Sequence, residues 1–192
     1  PTILMFNTDQ DTIFNWDGVT FTLDPNLPEF SYTNNSTTSI PGIQCPVIPS
    51  TDLIGVTIGN SVTSIGSSAF YGTSLSSVTI PDSVISIGTG AFDDCASLSS
   101  IDVADSNTSY SSINGVLFDK NQTTIFQYPA GKIDFSYTIP DSVTSIGEGA
   151  FSFCIMSYVT IVNSVLTIGS HAFYNCASLE SIVIPDSVTS ID

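Results

Sequence analysis

Four cysteines, one histidine and eighteen acidic residues are the groups in this chain with chemistry to offer. Cys95, Cys154 and Cys176 each close the same short phrase, A-F-x-x-C. A small apolar thiol suits a buried column at such a position. Cys154 and Cys176 belong to successive copies of the phrase, and a bridge between them is the alternative. Cys45 lies outside the phrase, and four cysteines allow three full pairings among which the sequence does not choose. The chain has no C-x-x-C pair and no zinc-type ligand spacing, so neither thiol redox chemistry nor a structural zinc is expected. His171 is the sole histidine, no G-x-S-x-G elbow accompanies it, and Asp93 and Asp94 are neighbours in a turn. No nucleophile, base and orienting group can be assembled from these, so no enzyme is expected.

Metal and glycan signals are weaker. Asn7, Asp9 and Asp11 alternate like the start of a calcium loop, but Thr12 stands where Gly is required and Gly18 where the bidentate Glu belongs. No cofactor is expected; loosely bound calcium, there or between the turn residues Asp141, Asn163 and Asp186, stays open. Asn34, Asn35, Asn107 and Asn121 head N-x-S/T sequons in segments expected to be irregular or projecting, and are candidate glycosylation sites.

The elements that position these groups are announced by repetition. "SVTSIGSSAF" (61–70), "SVISIGTGAF" (83–92), "SVTSIGEGAF" (142–151) and "SVLTIGSHAF" (164–173) are one phrase said four times, begun again at Ser187. The interval from Phe70 to Phe92 equals that from Phe151 to Phe173, and the interval from Val165 to Val188 is longer by one. A fixed period of this size marks a solenoid, because one coil cannot bury its apolar side alone. In "LSSVTIPDSVISIGTGAFDDC" (75–95), alternating "SVTI" predicts a strand, "PDS" a turn, "VISI" a second strand, and "AFDDC" a single helical or 3-10 turn. Stacked coils then carry two parallel sheets and a column of Phe70, Phe92, Phe151 and Phe173.

This wording, over Leu53–Val103 and Thr138–Ile191, resembles the BspA-like leucine-rich repeats. The resemblance implies a β-rich repeat solenoid in an extracellular or cell-surface protein that makes adhesive contact without catalysis. It also implies an insertion, here Asn107–Lys132. That stretch is expected as strand Gly115–Phe118, turn Asp119–Gln122 and strand Thr123–Tyr128. It would be a hairpin projecting from one enlarged coil, because Phe92 and Phe151 stand much further apart than the period allows. The organisation expected is an N-terminal β cap and connection over 1–50, then a solenoid over 51–192 with the insertion at about 105–133. "TIFNW-DG-VTFTL" (12–23) carries the cap's hairpin signal.

Composition narrows the partners. Eighteen acids against Lys120 and Lys132, with no arginine, give a net charge of -16. Such a surface repels nucleic acid and anionic lipid, and no apolar run is long enough for a membrane span. A protein partner is therefore expected, either a surface or matrix protein or a second copy of the chain. The outward positions Thr57, Thr79, Asp102, Thr138, Thr160 and Val183 make a hydroxyl-rich face without the usual interface anchors. Contact candidates are the insertion aromatics Tyr110, Phe118, Phe126 and Tyr128, with Tyr158, and the last coil's Ile184, Val188 and Ile191. Two expectations compete for that apolar last coil: an array cut short, or head-to-tail stacking into a filament.

Overall fold

The computed structural model describes residues 13–16, 19–23, 39–40, 53–60 and 62–192. Asn7, Asp9, Asp11, Asn34, Asn35 and Cys45 lie outside them. A hairpin, β1 (Ile13–Trp16) and β2 (Val19–Leu23), is followed by β3 (Ser39–Ile40). Six coils succeed it. The first two hold β4 (Leu53–Ile58) with β5 (Ser64–Ile65), and β6 (Ser77–Ile80) with β7 (Ser86–Ile87). The third holds β8 (Ser100–Val103), β9 (Tyr110–Ile113), β10 (Val116–Asp119) and β11 (Thr124–Gln127). The last three pair β12 (Ser136–Thr138) with β13 (Ser145–Ile146), β14 (Tyr158–Thr160) with β15 (Thr167–Ile168), and β16 (Ser181–Val183) with β17 (Ser190–Ile191).

Each repeated residue has a stacking task. In β6, Val78 and Ile80 point inward and Ser77 and Thr79 outward, as the alternation requires. Pro81, Pro140 and Pro185 open turns closed by the amides of Val84, Val143 and Val188. Three turn serines bond the coil before them: the Ser83, Ser164 and Ser187 hydroxyls donate to the carbonyls of Val62, Val143 and Val165 at 2.7, 2.7 and 2.9 Å. The glycine after each second strand is a close approach, since a Cβ on Gly88 would fall on the Ser67 backbone and one on Gly169 on that of Glu148. The A-F-x-x-C segment is a run of four-residue turns, each closed by an amide three residues on, with no helix among the described residues. A left-handed residue precedes it, at Ser68, Gly90, Gly149 and His171, and another lies within it, at Gly72, Asp94, Phe153 and Asn175.

The parallel ladders run β6-β8, β12-β14-β16 and β3-β5-β7, and β11-β13-β15-β17. β2 pairs antiparallel with β4, so the N-terminal hairpin continues the first coil's strand. The third coil interrupts both columns. Its β9, β10 and β11 form an antiparallel meander whose last strand starts the ladder to β13. The hairpin expected to project is therefore inside the stack. Val116 and Phe118 of β10 are buried in one core cluster with Ile139, Ile146 and Phe151, while Leu117 is buried in the other with Leu75, Phe92 and Ile101. A strand buried on both faces needs an unbroken apolar run, which "VLF" supplies.

The ring column divides at the same place. Phe70 stacks on Phe92 at 5.4 Å, and Tyr128 on Phe151 at 5.5 Å, which stacks on Phe173 at 5.1 Å. No ring contact joins Phe92 to Tyr128 among the described residues. Tyr128 occupies the repeat's Phe position. The interval expected as one enlarged coil therefore holds two: a long one from Phe92 to Tyr128, and one of ordinary length from Tyr128 to Phe151.

Candidate functional site

The three described cysteines face the coil before them. The Cys95 and Cys176 thiols donate to the carbonyls of Phe70 and Phe151 at 3.0 and 2.9 Å, one coil away, and Cys154 faces that of Tyr128 at 3.7 Å. All three are free, Cys95 and Cys154 are buried, and burial pushes each thiol up. The bridge between Cys154 and Cys176 is not formed. Thr73, at the cysteine position of the first coil, lies 3.3 Å from the Cys95 sulfur.

Asn107 is a correction. It is fully buried, and its amide donates to the carbonyls of Pro81 and Val84 at 2.7 and 2.9 Å. Its oxygen accepts from the amides of Ser109 and Tyr110. It does for the third coil what the turn serine does elsewhere, and leaves no room for a glycan. Asn121 is exposed at the turn between β10 and β11.

Among the contact candidates, Phe118 and Tyr128 are fully buried and Tyr110 nearly so. They are core residues because the meander lies within the stack. The Tyr110 hydroxyl accepts from the Ile87 amide at 2.8 Å. Tyr128 donates to Asp134 at 2.8 Å, and together with Lys132 it holds that carboxyl below its usual range. Phe126 is partly exposed, edge-on to Tyr110. Tyr158 is exposed on the sheet face, edge-on to Phe135, with its hydroxyl 2.6 Å from Glu180. Ile184 and Ile191 are exposed on the last coil, and Val188 packs against the second core. The structure does not bring these side chains into one patch.

A different patch lies on the turn side. Tyr71, Phe153 and Tyr174 form an edge-to-face row with centroids 6.4 and 5.6 Å apart, and His171 abuts Tyr174 at 5.7 Å. Tyr71 and Tyr174 are about half exposed. Asp93 and Asp94 sit beside the row. Partial desolvation and then the charges of Asp94 and Asp93 push the Tyr71 phenol up. Asp93 accepts from the Ser152 hydroxyl at 2.7 Å across the division between the two stacks. Burial raises the Asp93 carboxyl against the pull of Ser152 and Gln127. Sequence reasoning passes over this row, although its signal is present: the variable pair in A-F-x-x-C reads Tyr-Gly, Asp-Asp, Ser-Phe and Tyr-Asn. Among the described residues, no three His, Cys, Asp or Glu are grouped to hold a metal ion, and no helix is long and apolar enough to cross a membrane.

Comparison with known proteins places this architecture. The family of BspA type leucine rich repeat regions matches residues 48–130 and 135–192 in six copies. A solved leucine-rich repeat protein from Eubacterium ventriosum is 37% identical over 68% of this chain, with a TM-score of 0.67. A leucine rich cell surface protein from Faecalibacterium prausnitzii is 34% identical over 82%, with a TM-score of 0.70. This chain spans 36% and 42% of those two proteins. No curated protein matches it.

Proposed function

Because the chain belongs to the BspA type leucine-rich repeat family, we propose that it is a non-enzymatic, adhesin-type scaffold, acting at the cell surface or outside the cell through protein–protein contact. The observation that carries this reading is the use of the chemistry-bearing side chains. Thiols, turn serines and Asn107 are bonded to neighbouring coils, while the rings of Tyr71, Phe135, Tyr158 and Tyr174 are exposed. The similarity to a cell surface protein supports the location. The reading requires no cofactor, and any calcium is held loosely by surface carboxylates.

The test is capture of purified extracellular matrix proteins by the immobilised chain, with and without a chelator. Saturable binding that survives chelation is expected. Absence of saturable binding across basic, neutral and acidic matrix proteins would sink the proposal. A second reading, end-to-end assembly into a filament, draws on the exposed Val183, Ile184 and Ile191 of the sixth coil, which any coil stacked there would cover. Light scattering separates the two, since filament growth raises particle mass with concentration and a contact module stays at constant mass.

A further inference from the structure

The most distinctive surface feature is an aromatic residue where the backbone disfavours one. Phe153 has φ 60°, and its counterparts in the other coils are Gly72, Asp94 and Asn175, residue types that adopt this conformation readily. A bulky ring in the left-handed region is retained where the surroundings or a function require it. Phe153 is only half-buried, so filling the core does not account for it. Its ring instead joins Tyr71 and Tyr174, from the first and fifth coils, into one row.

The charge around the row is one-sided. Asp93 and Asp94 lie against Tyr71, and Glu148 acts on Asp93. The chain's two cations are engaged elsewhere, Lys132 with Asp134 and Lys120 with the Asp105 carbonyl. Aromatic faces attract a cation through the ring quadrupole, and carboxylates beside them bind it by charge and hydrogen bonds. With a net charge of -16, the chain also draws cationic segments toward itself.

We propose that Tyr71, Phe153 and Tyr174, with Asp93 and Asp94, form a docking site for a lysine or arginine side chain of a basic protein partner. This deepens the scaffold reading and rests on it for the partner's nature, although the site itself is testable alone.

The experiment titrates the whole chain with labelled tetralysine and tetra-arginine peptides and follows anisotropy at physiological salt. Tyr71→Ala with Tyr174→Ala leaves the charge unchanged and is expected to weaken binding about tenfold. Phe153→Asn suits the left-handed backbone, so it is expected to keep or raise the melting temperature while weakening binding. That outcome separates lost contact from lost fold. Asp82→Asn, remote from the rings, serves as the charge control and is expected to change binding less than twofold. Equal losses from Asp82→Asn and Asp94→Asn, with none from the ring variants, would mean diffuse attraction and overturn the site. Binding of a neutral chitin oligosaccharide that the ring variants abolish, while the peptides are unaffected, would overturn it in favour of a sugar platform. If peptides bind at the rings and no matrix protein is captured, the site stands and the adhesin reading fails.

Discussion

Asn107 shows how a residue's environment overrides its motif. Its tripeptide marks a glycosylation sequon, yet two hydrogen bonds tie it to the coil before and two hold its own turn. Asn107→Ala removes the side-chain partner of the Val84 carbonyl and of the Ser109 and Tyr110 amides, and is expected to cost about 2–4 kcal/mol of unfolding free energy, read by denaturant titration. Asn121→Gln, on the exposed turn, is expected to change stability by less than about 0.5 kcal/mol. Burial also sets the alkaline limit. Tyr137 is pushed up to about 12, and Tyr128, Cys95 and Cys154 are raised by burial as well. In the unfolded chain these groups ionise at their ordinary values of 9.0 and 10.0. The folded state therefore holds more protons above pH 9. Their contribution to stability is complete below that pH and falls as pH rises toward the folded values. Melting temperature against pH checks this, and a flat profile from pH 8 to 11 contradicts it.

At the scale of elements, the meander is the joint between two stacks. Its middle strand presents Leu117 to one core and Val116 and Phe118 to the other. Phe118→Ala is expected to cost about 3–5 kcal/mol and to split the denaturant transition into two, because the repeat stacks lose their shared strand. Ile133→Ser, at a position 88% exposed, is expected to leave both midpoints in place. The period, the strands and the turn residues of ordinary coils are legible in the sequence because each does one repeated job. The third coil is not. β9 (Tyr110–Ile113) has no strong alternation, and "VLF" reads as a strand of a projecting hairpin although its three consecutive apolar residues signal burial on both faces. The ring row is legible only as single aromatics in the variable pair, because its members come from different coils and meet where the third coil is recessed beneath Asp93 and Ser152.

For the whole molecule, the acidity is the governing property. A net charge of -16 repels itself in the folded state. Melting temperature is expected to rise between 10 and 500 mM NaCl, as screening relieves that repulsion; a fall would show that local ion pairs outweigh it. The same charge favours encounter with basic surfaces over acidic ones. The most direct measurement is hydrogen exchange of the chain, alone and saturated with the tetra-arginine peptide. The expected result is new protection in the segments carrying Tyr71, Asp93–Asp94, Phe153 and Tyr174, with the amides of β6, β10 and β14 unchanged. Protection spread through those strands, or none on the turn side, would contradict a scaffold that binds through its exposed rings and acids.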